Sequence, residues 1–377
     1  MVAPVRIGIL YSTTGPYGAF GRDSTDGAVL AAERLVNEGV PVELVIADPE
    51  GDAGRYVTLA RELLRDKGCR HIVGTALSAA RKDVTPLVEK HDGLLWYICP
   101  YEGFEANENI IYTGACPNQH LLPLFDHLIP RHGGRVFLLG ANYVWGWEMN
   151  RLARELLLAS GGEVVGERFL PIEETDIGRL INEIRAQRPS FILNNLIGPS
   201  SYAFLAAMSE LARTDPAFRP EICPVVSCDL TECELGDIDP GAAIGQLSAS
   251  SYFDSVDTPE NRAFKAMAAA RYGTGRRLST FFAGAYAAVR LCAQSIVAAG
   301  TDEPSAVRRA VCGRLHQTVQ GPLRIDPRTN HAALPFHLGR INEDGGFDVI
   351  ASRAPIAADP YLTGARVARA SHLRVVS

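Results

Sequence analysis

The chain of 377 residues is 47% hydrophobic, and its 37 basic and 43 acidic side chains give a formal charge of −6. This length predicts two domains with buried cores, and the apolar content excludes an intrinsically disordered chain. The mildly acidic balance argues against a nucleic-acid surface, which needs clustered Lys and Arg. The sequence contains no 18 consecutive apolar residues and therefore predicts no membrane span.

The beginning of the chain bears on its location in the cell. Met1 stands five residues before Arg6, where the first predicted strand begins. A secretory signal peptide needs a basic start, an apolar run and a small-residue cleavage site. Because no such segment precedes the strand, we expect a cytoplasmic protein, with a periplasmic one as the alternative if a signal peptide has been removed.

Strand-length apolar runs alternate with helical patterns in the first third of the chain. Predicted strands cover residues 6–11, 42–47, 71–74, 93–97 and 110–114, and predicted helices cover 23–37, 56–66 and 85–91. Such alternation is typical of βαβ units and a parallel sheet.

A second alternating series begins after Pro117. Predicted helices cover 120–132, 147–160, 176–187, 200–213 and 279–299. Predicted strands cover 135–140, 164–169, 190–196, 221–227, 244–253 and 321–326, with a closing hairpin over 336–341 and 347–352. Two series predict two α/β lobes with a ligand bound beyond the carboxyl ends of the strands, so residues that follow strands are the candidates for the site.

Two candidate segments come from the first series. Ser78 precedes a helical turn, where its hydroxyl and free N–H groups could bind a carbonyl or carboxylate oxygen; an ordinary helix cap is the alternative. Tyr97 ends the fourth predicted strand, and Ile98 and Cys99 follow it. These three residues are predicted to form a pocket wall. A catalytic role for Cys99 is disfavoured because no nearby histidine in the sequence would generate its thiolate.

Two further segments come from the second series. Tyr143, Trp145 and Trp147 place three rings within five residues on a predicted irregular loop, which suggests closure over a ligand, with packing between lobes as the alternative. Asp229 follows the strand 221–227 and could accept hydrogen bonds from an amide or ammonium group, or be solvated at the cleft rim.

The cysteines predict neither a metal site nor a disulfide framework. A chain of this size does not need disulfides for its stability. Cys223, Cys228 and Cys233 recur at five-residue spacing, which differs from the C-x2-C of zinc sites. We therefore expect buried free thiols, no metal and no cofactor.

Several motifs, in this order, resemble the type I periplasmic-binding-protein family. They are Arg81-Lys82-x-Val84-x-Pro86-x-x-Glu89, Pro100-Tyr101-Glu102-Gly103-Phe104-Glu105, Asn109-Ile110-x-Tyr112-x-Gly114, Tyr252-Phe253-x-Ser255-x-Asp257-Thr258-Pro259 and Gln320-Gly321-Pro322. The resemblance is strongest to the AmiC-type amide receptors of amidase operons, and next to amide, urea and branched-chain amino acid binding proteins of ABC transporters.

The resemblance and the alternation together predict the fold. Each lobe is expected to be a mainly parallel sheet flanked by helices, with three crossings between lobes near Pro117, Ala249 and Asn330. Lobe 1 is predicted to comprise residues 1–117 with 250–330, and lobe 2 to comprise 118–249 with 331–377. The ligand cleft is expected between them.

The resemblance also implies the ligand-binding residues. They are Ser78, Tyr97, Ile98, Cys99, Tyr143, Trp145 and Asp229. Ala76 and Trp145 each stand where the amide receptor has Tyr, and Asp229 stands where it has Thr. The expected ligand is a small neutral amide or urea-like molecule, with an amino acid as the alternative.

Three functions fit these residues to different degrees. The first is a non-enzymatic cytoplasmic amide sensor that controls an antiterminator protein and does not itself bind nucleic acid. The alternative is the substrate-binding subunit of an ABC importer, which would act with a permease. The third, an amide hydrolase, is disfavoured because no paired nucleophile and base is evident. Whether the protein forms a homo-oligomer stays open.

Overall fold

The first of two sheets in the fold is parallel throughout. The computed structural model describes residues 4–239 and 241–364. The strands of this sheet are β1 (Val5–Leu10), β2 (Val42–Ala47), β3 (His71–Gly74), β4 (Leu94–Tyr97) and β5 (Ile110–Tyr112), in the order β2-β1-β3-β4-β5. The helices between them are α1 (Gly18–Asn37), α2 (Arg55–Arg61), which continues as a π-helical turn (Glu62–Asp66), and α3 (Ser78–Lys90).

The second sheet has a parallel centre. Its parallel strands are β6 (Arg135–Ala141), β7 (Glu163–Leu170), β8 (Phe191–Asn195), β9 (Val225–Ser227) and β10 (Leu247–Ser250). The helices of this lobe are α4 (Leu121–His132), α5 (Val144–Ala159), α6 (Gly178–Gln187) and α7 (Pro199–Thr214). Strands β6 and β8 are almost wholly buried, and apart from Arg135, Asn194 and Asn195 they are apolar, as is typical of parallel strands covered on both faces.

The last third of the described chain contributes to both lobes. Its helices are α8 (Pro259–Tyr272), α9 (Thr280–Ala299) and α10 (Pro304–Val311), and its strands are β11 (Leu315–Thr318), β12 (Gly321–Ile325), β13 (Ala332–Ile341) and β14 (Phe347–Ile356). Helix α9 packs against α1, β1 and β3 of the first lobe. Strands β13 and β14 extend the second sheet in antiparallel fashion.

The chain passes between the two hydrophobic cores after β5, after β10 and along β13. In β13, Leu334 lies in the core of the first lobe and Phe336 in that of the second. The side chain of Gln119 joins these connections, because its amide nitrogen donates to the carbonyl oxygens of Ala332 and Ile356, at 2.8 Å each. Residues 1–3 and 365–377, which belong to the predicted lobes, lie outside the described residues.

The prediction of a strand over 244–253 was too long, and helix α8 was missed. Gly245 adopts a positive φ of 84°, so the backbone turns just before β10 begins at Leu247. Helix α8 begins with an N-cap at Thr258, whose side chain accepts from the backbone N–H of Asn261, followed by Pro259 in the first turn. This start signal is present in the sequence as Thr258-Pro259.

Helix α9 is the most apolar long helix of the described chain. It is long and apolar enough to span a membrane by length and composition alone, but 78% of its most apolar stretch is buried inside the protein. Ser279 caps it by accepting from the N–H groups of Phe281 and Phe282, and Gly300 ends it in the left-handed conformation. Its apolar surface is accounted for by its position as the central helix of the first lobe.

Candidate functional site

A cavity lies between the lobes. The first lobe supplies walls from α1, from the turns after β3 and β4, and from α9, whereas the second supplies residues that follow β6, β8 and β9. They are Tyr17, Phe20, Ala76, Leu77, Ser78, Cys99, Pro100, Phe281, Tyr143, Trp145, Ile197 and Asp229. The site thus forms where the carboxyl ends of two parallel sheets face each other.

The two lobes touch directly across this cavity. The hydroxyl oxygen of Tyr143, from the second lobe, accepts a hydrogen bond of 2.6 Å from the N–H of Ala79 in the first turn of α3. On another side Gly198 (φ 56°) lies so close to Pro16 that a Cβ atom at Gly198 would stand 2.8 Å from the Pro16 carbonyl oxygen. These contacts define a closed arrangement of the lobes.

Replacement of Tyr143 by Phe is expected to weaken this closed arrangement. The change removes one hydrogen bond between lobes, worth about 0.5–1.5 kcal/mol, and keeps the aromatic wall. Ligand affinity should therefore fall about threefold to tenfold, measured by titration calorimetry. Tyr361→Phe, at a Tyr with 40% exposure, is the control and should change nothing. Unchanged affinity in Tyr143→Phe would mean that this bond does not contribute to closure.

Aromatic side chains from both lobes dominate the cavity wall. The rings of Phe20 and Phe281 stack with centroids 4.4 Å apart, and Trp145 is buried opposite them in the second lobe. The hydroxyl of Tyr17 and the indole N–H of Trp145 are buried and find no hydrogen-bond partner among the described residues. The cavity therefore combines an apolar surface with two free polar groups.

The prediction of an irregular loop over 142–148 was wrong. Helix α5 begins at Val144, so Trp145 and Trp147 lie in its first turn and point to different surroundings. Gly146 permits this early start, because a Cβ there would lie 2.2 Å from the carbonyl oxygen of Ala141. Trp147 is 46% exposed and donates to Asn142, so it takes no part in the cavity.

Ser78 connects the cavity to a buried ionic network. Its hydroxyl donates to Glu102 Oε2 at 2.7 Å, and Glu102 Oε1 accepts from Arg81 Nη2 at 2.8 Å. Arg81 is fully buried and also donates through Nε to Glu105 at 3.1 Å. Burial alone would raise the pKa of Glu102, but the Arg81 guanidinium holds it below its ordinary value. With its proton engaged by Glu102, Ser78 can offer a ligand its oxygen lone pairs.

Tyr97, Ile98 and Cys99 follow one another but face different environments. The Tyr97 ring packs against the Arg81 guanidinium at 4.6 Å and lines neither cavity between the lobes. Cys99 lines the main cavity, where its sulfur donates to the Thr75 carbonyl at 3.6 Å and burial raises its pKa to about 12. It is a neutral thiol and not a nucleophile.

Asp229 is the acidic group of the cavity. It accepts a hydrogen bond from the Ser227 hydroxyl, and none of the described cationic side chains forms an ion pair with it. Burial raises its pKa to about 7. Near neutral pH this side chain can therefore accept hydrogen bonds as a carboxylate or donate one as an acid.

A second, smaller cavity adjoins the first and shares Pro100 and Asp229 with it. We call it the hinge-side chamber, because Ser250 and Ser251 in its wall lie where the chain leaves β10 for the first lobe. The remaining residues that line it are Ile98, Ala115, His120, Cys228, Leu230, Thr231, Ala249 and Thr280. Ile98 thus belongs to this chamber.

The sequence did not single out Tyr17, Phe20, His120, Ile197 or Phe281. Tyr17, Phe20 and Ile197 follow strands β1 and β8, so the rule that located Ser78 could have found them. All eight cysteines are unpaired, and within residues 4–239 and 241–364 no group of three His, Cys, Asp or Glu side chains could hold a metal ion.

Comparison with known proteins agrees with this architecture. The sequence model of a protein family, the periplasmic binding protein domain, matches residues 5–366 of this chain. The Leu/Ile/Val-binding protein homolog 6 of Brucella abortus (strain 2308) is 23% identical over 348 residues, which cover 89% of this chain and 87% of that protein.

Solved structures show the same two-lobe fold. The solute-binding protein of an ABC transporter from Rhodopseudomonas palustris HaA2, in complex with p-hydroxybenzoic acid, has a TM-score of 0.84 at 23% identity and covers 96% of this chain and 100% of its own. The amino acid ABC transporter substrate-binding protein from Pseudomonas fluorescens Pf-5 has a TM-score of 0.81 at 21% identity. It covers 96% of this chain and 99% of its own. With a family match that spans both lobes and the cavity between them, the chain belongs to the type I periplasmic binding proteins, which bind substrates and are not enzymes.

Proposed function

We propose that this protein is the substrate-binding subunit of an ABC importer and captures a small organic solute between its lobes. The observation that carries the proposal is a cavity built jointly by both lobes and closed by direct contacts between them. The relatives support it, because the similar structures include substrate-binding proteins of ABC transporters. The partner implied is an ABC permease.

This proposal replaces two expectations drawn from the sequence. The comparisons do not support an amide sensor that regulates an amidase operon, and they favour the importer alternative. They give no support for a cytoplasmic location either, and periplasmic binding proteins normally act in the periplasm. We therefore propose that the protein acts outside the cytoplasm.

The cavity suggests a ligand with an apolar body and few polar groups. Phe20, Phe281 and Ile197 would pack against the body, whereas Tyr17 and Trp145 offer unpaired donors. This largely aromatic and aliphatic lining suits a small aromatic or branched aliphatic molecule. Five of the predicted residues would bind the ligand at the main cavity: Ser78, Cys99, Tyr143, Trp145 and Asp229. Ile98 would bind it at the hinge-side chamber, whereas Tyr97 would act by positioning Arg81.

Ligand binding would act by stabilising the closed arrangement. Contacts from α3, α1 and α9 of one lobe and from α5 of the other can engage one ligand only when the lobes are closed. The closed form would then be the one presented to the permease.

The test is a binding panel read out by both affinity and shape. We expect leucine, 4-hydroxybenzoate, benzamide or isobutyramide to bind with a Kd below about 10 µM by titration calorimetry, equivalent to about −7 kcal/mol. Small-angle scattering should show compaction at saturation. Ala76→Trp is the matched control, since a large ring at this lining position should fill the cavity and abolish binding while the protein stays folded. Binding without compaction, or binding that survives Ala76→Trp, would contradict the proposal.

A further inference from the structure

The last part of the first lobe carries a positive charge, in contrast to the chain as a whole. Between Glu303 and Arg328 the sequence has five arginines and two acidic residues, whereas the formal charge of the whole chain is −6. Four of these arginines lie on helix α10, on the hairpin β11–β12 or directly between them. Together with an exposed leucine we call them the basic hairpin surface: Arg308, Arg309, Arg314, Leu315 and Arg324.

The hairpin turns Leu315 and Arg324 outward together. Cross-strand pairing places these two residues directly opposite each other, so their side chains share one face. Leu315 is 57% exposed, and Arg324 is exposed beside it. Leu323 and Ile325, on the opposite face, are buried in the core of the first lobe. An apolar side chain therefore stands in solvent next to a guanidinium group.

Helix α10 is held against this hairpin by two hydrogen bonds. The N–H of Gly313, just after α10, donates to the carbonyl oxygen of Ile325 in β12 at 2.9 Å. In β11, Nε2 of His316 lies 2.7 Å from the carbonyl oxygen of Val311, the last residue of α10. The two arginines in the last turn of α10 and the exposed Arg314 are thereby brought to the same end of the hairpin, opposite its turn.

Most of this positive charge has no acidic partner. Three of the arginines form no ion pair with any carboxylate of the described chain: Arg308, Arg314 and Arg324. Glu303 caps the start of α10 and lies near Arg309, and Asp326 is paired with Arg328. The helix dipole would by itself explain a cation in the last turn of α10, but Arg314 and Arg324 lie outside any helix.

We propose that the basic hairpin surface binds the anionic headgroups of a phospholipid membrane. Guanidinium groups pair with phosphate oxygens, and an exposed leucine among them can enter the boundary between headgroups and acyl chains. A nucleic acid would match the cations but offers no apolar layer for Leu315, so the pattern favours lipid.

This inference goes beyond the proposed function and requires no solute. None of the five residues lines either cavity between the lobes, so the surface can be changed without touching the solute site. A peripheral contact of this kind keeps the protein close to a membrane and is reversed by salt.

Co-sedimentation of the full chain with vesicles tests the inference. Vesicles of phosphatidylcholine alone are compared with vesicles that contain about one third phosphatidylglycerol. At about 50 mM salt we expect binding to the anionic vesicles to be tighter by about tenfold or more. At about 0.5 M salt this preference should disappear, because the charges are then screened within a few ångström.

Two sets of variants identify the groups responsible. The triple variant Arg308→Gln, Arg314→Gln, Arg324→Gln should weaken binding to the anionic vesicles by about tenfold or more. Leu315→Ser should weaken it by about threefold and keep its salt dependence.

The matched control makes the same change in net charge on the second lobe. It replaces three exposed arginines that also lack a described ion pair: Arg179→Gln, Arg185→Gln, Arg340→Gln. This control should bind vesicles like the wild type. Thermal unfolding followed by circular dichroism verifies that each variant is folded.

The outcomes separate this inference from the importer proposal. Equal binding to both kinds of vesicle, or an equal loss in the triple variant and its control, overturns the membrane proposal. Binding to poly-glutamate without binding to anionic vesicles would assign the surface to an acidic protein partner and would overturn it as well. Because these assays contain no solute, each of these results leaves the importer proposal standing.

Discussion

Replacing Arg81 by Met is expected to lower the free energy of unfolding by about 3–5 kcal/mol, because it leaves buried carboxylates without their cation. Arg81 is 0% exposed and bonds Glu102 and Glu105 at once, and Glu102 is only 2% exposed. Met fills a similar volume, so the loss reports the charge and not a cavity. Urea unfolding followed by circular dichroism measures it.

Two further variants test whether the unpaired charge causes that loss of stability. Lys82→Met removes a neighbouring cation that is 44% exposed and lies 3.2 Å from Glu105; it should cost less than about 1 kcal/mol. The triple variant Arg81→Met, Glu102→Gln, Glu105→Gln should recover part of the stability, since no buried charge then stays unpaired. A loss in Arg81→Met no larger than that in Lys82→Met would show that the network contributes little.

Replacing Gly114 by Ala is expected to destabilise the first lobe by about 1–3 kcal/mol and to weaken ligand binding. A Cβ at this position would stand 1.9 Å from the carbonyl oxygen of Cys99 and 2.8 Å from the carbonyl carbon of Ile98. Both contacts are with backbone, so the segment after β4 must move. That segment carries the walls of both cavities, so binding should fall about tenfold or more by calorimetry.

The matched control for this change is Gly275→Ala. Nothing lies within 4 Å of a Cβ placed at Gly275, and its φ is not positive, so stability and affinity should stay at wild-type values. If Gly114→Ala lowered stability but left ligand affinity intact, the post-β4 segment would have to be independent of the ligand.

Several of the residues predicted from the sequence line the cavity because parallel strands bring their carboxyl ends together. Cys99, Tyr143 and Asp229 follow β4, β6 and β9, and each lines the main cavity. Tyr97 is the exception, since it is the last residue of β4 and packs against Arg81 rather than the ligand space. Sequence position near a strand end therefore identifies the segment, but not which side of it a residue faces.

The rest of the site depends on tertiary packing that no local pattern reveals. Phe281 reaches the cavity from α9, far along the chain from its stacking partner Phe20. His120, the residue before α4, lines the hinge-side chamber, and its Nε2 lies 3.3 Å from the carbonyl oxygen of Tyr101. Such pairings follow from how α9 packs on α1 and from where the chain crosses between lobes.

The hydrogen bonds of Gln119 have a mechanical consequence. Its amide holds the first connection between lobes against β13 and β14, and β13 is itself paired with β10, which leads into the second connection. Because these connections are hydrogen-bonded to one another, we expect them to bend together and to restrict the lobes to essentially one opening angle. On the proposed function, solute occupancy would then be converted into a single angular coordinate, which a membrane complex could sense without contacting the solute itself.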